Sequence, residues 1–289
     1  MVQWVLDALG QASQVDNIII VGLSAKSTLT SAKPMHFVSN QGRLLANVVA
    51  GIQKALELNP QAECVLICTA DIPTLKPAMV DWLITSASQS RHDLYYGVCP
   101  RAVMEKRFRG ANRTFTRLKD IEVCGADVHV ASVRLIRPEL LKIWEQLIGN
   151  RKSPLRQASI IGLGTGWRLL TGQLTLEEGV ERVSNGIGIR GRAIIWSQAE
   201  PAMDVDKPHQ LAIVRRDLLR QQRAAEPKPV MPSAKRGKKG KRVRRTQGNA
   251  RKRRSAQSGV RRKPSKRLGR LQATRGGARS RGKSTRSRR

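Results

Sequence analysis

Three aspartates stand where a carboxylate is costly unless it is used. Asp71 closes the run ECVLICTADIPTL (63–75), an apolar stretch from Cys64 to Cys68 that ends in a single carboxylate with Pro73 close behind. Continuous apolar character without alternation fits a strand covered on both faces, as in a parallel sheet. A carboxylate just past the C-terminal end of such a strand lies where open α/β sheets bind ligands. It does not serve as core filler unless paired or metal-bound. Asp204 and Asp206 bracket Val205 in DVDKPHQL (204–211), and an extended segment turns both carboxylates to one side. Together with Asp71 they make a donor set for a hard divalent cation. Mg2+ takes one or two carboxylates plus phosphate oxygens and water in preference to an all-protein cage. The spacing equally suits Asp206 as the cap of a helix starting near Pro208.

Two further stretches carry binding chemistry. SNQGRLLANVVAG (39–51) puts Gly42 at a helix entrance and Asn47 one turn in, where free N–H groups and the helix dipole suit an anion or a base edge. A plain cap from Ser39 or Asn40 accounts for the same residues. KRFRGANRTFTRLKD (106–120) holds six basic residues, among them Arg113, Arg117 and Lys119, ahead of GAD at 125–127. Arginine forks match phosphate geometry, and a solvated basic loop fits the composition as well. GLGTG (162–166) has no preceding strand and is not a dinucleotide fingerprint. The four histidines, His36, His92, His129 and His209, show no ligand spacing, and no nucleophile–base arrangement is visible.

The elements that must position these residues alternate in kind. A helix is expected around Val2–Leu9, strands at 17–23 and 35–38, and a helix over 44–57 with Leu45, Val48, Val49, Ile52 and Leu56 inward. The Asp71 strand follows, then a helix opened by Pro77, strands at 93–98 and 127–136, and a helix from Pro138. Helices near 154–171 and 175–184, a strand at 192–196 and a helix over 208–222 complete the series. Strands separated by helices predict a mostly parallel sheet with helices on both faces. The chain opens on a helix, whereas such sheets usually begin with a strand feeding a phosphate-gripping loop.

Charge divides the chain. Of 54 Lys/Arg, 26 lie in residues 227–289, which contain none of the 21 Asp/Glu, leaving 28 basic against 21 acidic residues in 1–226. The tail has no Phe, Tyr or Trp and is expected to be disordered. AEPKPVMPSA (225–234) is a linker into it. Four cysteines (Cys64, Cys68, Cys99, Cys124) without CxxC spacing predict reduced, buried thiols. No apolar run reaches membrane-span length and no signal peptide opens the sequence, so a soluble cytoplasmic protein without membrane contact is expected.

From Met1 to about Leu219 the ordered motifs resemble the MobA-like NTP transferase family, the relatives of molybdenum cofactor guanylyltransferase. MVQWVLDAL with NIIIVG looks like the segment after the family's signature loop. QGRLLANVVAGI resembles its G-x-L-x-x-N-x-x-x-G element beside the nucleoside base. TADIP resembles the D-x-P motif whose Asp holds the metal, and DVDKPHQL the closing D-x-D-x-P-x-x-L motif. RTFTRLKD and GAD resemble the R-T-Y-x-R-L-K-D and G-G-N elements of one subgroup. Asp127 stands where that subgroup has an amide. The glycine-rich loop that cradles the triphosphate would lie before Met1 and is absent from this chain, as a late start, a truncated gene or a degenerate copy would each leave it.

The resemblance implies a three-layer α/β/α fold, Rossmann-like and of the nucleotide-diphospho-sugar-transferase kind, over residues 1–224, with the tail over 225–289. It implies Mg2+-dependent transfer of an NMP moiety from an NTP to a small acceptor, of molybdopterin type or otherwise phosphorylated, with release of pyrophosphate. Asp71 and Asp206, with Asp204 beside them, would hold Mg2+; Gly42 and Asn47 would border the base; Arg113, Lys119 and Asp127 would face the acceptor. The competing expectation is a catalytically inactive NTP-transferase-like protein that binds nucleic acid through residues 227–289.

Overall fold

A computed structural model of the chain describes residues 1–149 and 162–225; the linker, the basic tail and the start of the helix expected from 154 lie outside them. Helix α1 (Val2–Gln11) leads to β1 (Ile18–Val21) and β2 (Met35–Val38), which pair in parallel. Then come α2 (Leu44–Leu58), β3 (Cys64–Cys68), α3 (Pro77–Ser88), β4 (Leu94–Pro100) and a short α4 (Arg101–Arg107). The hairpin β5 (Thr116–Arg117)–β6 (Glu122–Gly125) precedes β7 (Val128–Ser132) and α5 (Pro138–Gly149). After the undescribed stretch follow α6 (Leu163–Leu170), α7 (Leu176–Ile187), β8 (Gly191–Ile195) and α8 (Pro208–Ala225).

The class is the expected mixed α/β, with helices on both faces of a central sheet. The pairing is more mixed than a mostly parallel sheet: β1–β2 and β4–β8 are parallel, whereas β7 runs antiparallel between β3 and β4, and β6 antiparallel to β4 and β5. The cause is the β5–β6 hairpin. It returns the chain along β4, so that β6 and β7 form one interrupted path antiparallel to that strand. The expected strand at 127–136 accordingly ends at Ser132, and Val133–Ile136 forms a 3-10 turn.

On one face Tyr95, Cys99, Val128, Val130, Ile194 and Trp196 pack against α1 and α3 through Val5, Ala8, Val80 and Leu83, with Val214 of α8. On the other, Ala131, Leu135, Ile187 and Ile189 meet Leu140, Ile143 and Trp144 of α5. Capping is explicit at α7, where Thr175 and Glu178 form a reciprocal capping box and Gly188 ends the helix at φ 79°. All four cysteines are free; Cys99 and Cys124 are buried opposite one another on β4 and β6, but Cys64 is exposed, contrary to the expected burial. Of the five residues expected inward on α2, only Ile52 is buried. No helix among the described residues is long and apolar enough to cross a membrane.

The interruption between β6 and β7 is a bulge. From Tyr95 to Val98 the chain takes three steps along β4, while the partner path takes five from Val130 to Gly125. Two surplus residues bend the path. Gly97 sits opposite, and a Cβ there would stand 2.6 Å from Trp196 Nε1 and 2.8 Å from the Val128 carbonyl. Gly97→Ala is therefore expected to destabilise the protein by about 2–4 kcal/mol, read as a lowered urea midpoint with an unchanged m-value.

Candidate active site

The bulge decides where Asp127 goes. Its N–H donates to the Pro201 carbonyl (2.8 Å), and its own carbonyl accepts from Thr69 N–H (3.0 Å), which ties the bulge to the C-terminal end of β3. Two residues past Thr69, Asp71 is fixed in turn: Thr69 Oγ1 donates to Asp71 Oδ1 (2.5 Å), and the Asp71 carbonyl accepts from Val205 N–H (3.0 Å). Ile72, Thr74 and Leu75, directly after Asp71, are buried and hold the turn. Val205 N–H carries Asp206 to the same place. Three carboxylates from three chain segments thus converge at the ends of β3 and β7 and at the entrance to α8.

Asp206 does not cap α8. The Gln210 side chain does so, accepting from the N–H groups of Asp206 (3.0 Å) and Lys207 (2.9 Å) while donating to the Ala111 carbonyl. The Asp206 carboxylate is left exposed. Asp204 behaves differently from the expectation that it joins the metal set. It is buried and ion-paired with Arg113 Nη1, because the 3-10 turn Glu200–Ala202 and the buried Met203 turn it inward.

Arg113 is the cation of this floor. Asn112 adopts φ 52°, the left-handed region an asparagine tolerates, and Arg113 beyond it is largely enclosed. Its guanidinium pairs with Asp204, donates to the Gly125 carbonyl (3.4 Å) and lies 3.7 Å from Asp127 Oδ2. Asp127 Oδ2 is buried and has no hydrogen-bond partner. Burial, opposed by Arg113 and reinforced by the charges of Asp71 and Asp206, pushes the Asp127 carboxyl up to about 6.

Beside Asp127 on β4, the half-exposed Tyr96 stacks on His129 with centroids 4.5 Å apart and planes 9° from parallel. His129 Nδ1 accepts from Gly97 N–H (3.2 Å), and burial drives the imidazole down to about 4, so it is neutral at pH 7. Sequence reasoning missed this pair. Alternation along DLYYGV turns Tyr95 inward and Tyr96 outward, a signal for the exposure of Tyr96 but not for its partner.

The other expected residues lie on other elements. Gly42 takes φ 78° in the loop after β2. The amide of Asn47 is spent on that loop: its Oδ1 accepts from Gln41 N–H (2.7 Å), and its Nδ2 donates to Asn40 Oδ1 (3.1 Å), which also accepts from Gly42 N–H. Lys119 is exposed in the β5–β6 turn, where its N–H donates to the Leu174 carbonyl. At about 3.3 Å per residue, the length of β6 separates that turn from Asp127.

Among the described residues no three His, Cys, Asp or Glu side chains close into a protein cage for an ion. Asp71 and Asp206, with Asp127 Oδ2, which accepts no hydrogen bond, are instead an open set of hard oxygens. That set fits a divalent cation that completes its shell with phosphate oxygens and water.

The sequence profile of the MobA-like NTP transferase domain matches residues 1–163. Among solved structures, a hypothetical transferase from Thermus thermophilus is similar at 29% identity and a TM-score of 0.62, over 73% of this chain and 85% of that one. A CMP:2-keto-3-deoxy-manno-octonic acid synthetase complexed with CTP aligns at 12% identity and a TM-score of 0.43 (76% and 88% covered). A 2-C-methyl-D-erythritol 4-phosphate cytidylyltransferase, also from Thermus thermophilus, aligns at 13% and 0.39 (75% and 87%). At these scores neither of the last two bears on the site. Among curated proteins there is no match.

Two outcomes follow for the carboxylates. The folded-state pKa of Asp127 lies above its ordinary value of 3.8, so the folded state binds this proton more tightly than the unfolded chain does. Its contribution to stability is full below pH 3.8 and is lost as pH rises through about 6, a difference of about 2–3 kcal/mol. Urea titrations between pH 4 and 8 are expected to show that fall in the wild type and a flatter profile in Asp127→Asn. Arg113→Met leaves Asp204 buried without its cation and is expected to cost about 3–5 kcal/mol. Lys119→Met is expected to stay within about 0.5 kcal/mol in the same titration.

Proposed function

The chain belongs to the MobA-like NTP transferase family, and we propose that its carboxylate site carries Mg2+-dependent transfer of a nucleotidyl group from an NTP to a small-molecule acceptor. The observation that carries this reading is the convergence of Asp71, Asp127 and Asp206 through the backbone links Thr69–Asp127, Asp127–Pro201 and Asp71–Val205.

In this reading Asp71 and Asp206 would hold the cation. Bound there, Mg2+ would supply charge neutralisation for phosphate oxygens; the transfer itself is attack of an acceptor oxygen on the α-phosphorus with departure of pyrophosphate. The chain's own part is positioning. Thr69 fixes the Asp71 carboxylate through Oγ1, and Gln210 holds the backbone of Asp206. Arg113 keeps Asp204 from competing for the ion and limits the repulsion on Asp127. Asp127, beside Tyr96 and titrating near neutrality, is suited to meet the acceptor. Gly42 and Asn47 shape the loop at the entrance to α2, on the base side; the bonds that Asn47 makes assign it to holding that loop in shape. Lys119 belongs to the periphery of the acceptor side.

A second reading concerns the tail, whose 26 Lys/Arg without an acidic residue favour polyanion binding. Residues 1–289 are expected to shift a random-sequence DNA duplex with an affinity that falls steeply with salt, and residues 1–226 to leave it unshifted; salt-insensitive binding by both would end that reading. For the site, equilibrium dialysis is expected to show NTP retained with Mg2+ and released with EDTA. Asp71→Asn should weaken retention at least about tenfold and suppress Mg2+-dependent pyrophosphate release. Equal retention by wild type and mutant would remove Asp71 from the site.

A further inference from the structure

We propose that a cleft at the end of the sheet remote from the carboxylates, formed by the turn after β7, the start of β8 and the C-terminal end of α7, binds a phosphate-bearing anion on the guanidinium groups of Arg134 and Arg190. The proposal stands apart from nucleotidyl transfer.

β7 has Asp127 just before its first residue and Arg134 two residues after its last, so the two ends of one strand carry opposite charges. The five residues of β7 separate them by roughly 15 Å. Asp93 builds the basic end. Its N–H donates to the Arg190 carbonyl (2.7 Å), its carbonyl accepts from Ser132 N–H (2.8 Å), and its carboxylate accepts from Arg190 N–H (2.8 Å). β4, β7 and β8 are thereby tied together. Ser132 Oγ accepts from Arg134 N–H (3.3 Å), which opens the 3-10 turn and brings Arg134 within the field of Asp93. Two residues past Arg190, Arg192 donates to Ser90 Oγ (2.9 Å), which also bonds His92 Nδ1 (3.1 Å).

The cleft has a volume of about 540 Å3 and is lined by Asp93, Arg134, Asn185, Gly188, Ile189 and Arg190. That size falls within the range of small-molecule sites. Both lining arginines are exposed and sparingly used. Arg190 reaches the Asp93 carboxylate through Nε alone, at 3.5 Å, and Arg134 makes no ion pair among the described residues.

The local balance of charge is positive. Against Arg134, Arg190 and Arg192 stand the Asp93 carboxylate, already bonded to Arg190, and the C-terminal end of α7, equivalent to about half a negative charge. Asp120, Glu177 and Glu181 line an adjoining cleft but not this one. His92 reads the field: burial lowers its pKa, and Arg192 and Arg190 lower it further against the opposing pull of Asp93. Guanidinium forks pair bidentately with phosphate oxygens, so the cleft selects a phosphate group over a simple halide.

Residues 227–289 also attract phosphate through their 26 Lys/Arg, so the readout must be local. The test is NMR of the Ile189 methyl and of the Gly188 and Arg190 amides in the full 289-residue chain, with EDTA and constant ionic strength. Inorganic phosphate is titrated in one series and glycerol 3-phosphate in another. The expected result is a saturable shift at all three positions, with affinity reduced at least about tenfold in Arg134→Gln, whose native side chain makes no ion pair to lose. The same affinity as wild type is expected in Arg216→Gln, an exposed arginine of α8 outside the cleft. Tighter binding of glycerol 3-phosphate would assign the cleft to a phosphomonoester, and equal binding to the free anion; either bears the proposal out. Shifts that do not saturate, that are confined to residues 227–289, or that Arg134→Gln leaves unchanged would overturn it.

Discussion

Burial of one carboxylate beside two others is the constraint on which this site depends. Burial raises the proton affinity of Asp127, the charges of Asp71 and Asp206 add to the rise, and Asp204 is buried and paired with Arg113. One guanidinium, that of Arg113, offsets the cluster by pairing with Asp204 and approaching Asp127. Four carboxylates against one fixed cation leave a local surplus of negative charge. In the proposed function a divalent cation would offset that surplus.

Holding like charges together requires stiff backbone, and the sheet supplies it. The two-residue excess of the β6–β7 path against β4 turns what would be a regular strand residue into a side chain aimed at the end of β3. Gly97 and Trp196 fill the bend so tightly that no methyl group fits. Hydrogen bonds to Thr69 and Pro201 then fix Asp127, and the bond from Val205 fixes Asp71. Most of the site's geometry is thus carried by main-chain bonds, which substitution at the surface does not disturb.

Elements with a strong local signal were legible in the sequence. Pro77 and Pro138 marked helix starts that the structure reproduces, and MHFV and CVLIC were read as strands with their observed bounds. Asp71 stood out because nothing in an apolar run accounts for a carboxylate. The β5–β6 hairpin was hidden, because two strands of two and four residues carry too little alternation to emerge from a basic stretch. The antiparallel placement of β7 followed from that hairpin and was hidden with it. Asp204 and Asp206 looked equivalent by spacing. Only the inward turn at Glu200–Ala202 separates the one that pairs with Arg113 from the one that faces solvent. The stacking of Tyr96 on His129 depends on register across two strands far apart in sequence, which alternation alone does not supply.

Asp127 shares its electrostatic environment with Asp71 and Asp206. Carbon-13 NMR titration of the Asp127 side-chain carboxyl tests it directly, in the wild type, in Asp71→Asn and in saturating Mg2+. The expected result is a pKa of about 6 in the wild type without cation, and a lower value both on removal of the Asp71 charge and on addition of Mg2+. An ordinary carboxyl value near 3.8, indifferent to Asp71 and to the cation, would contradict it.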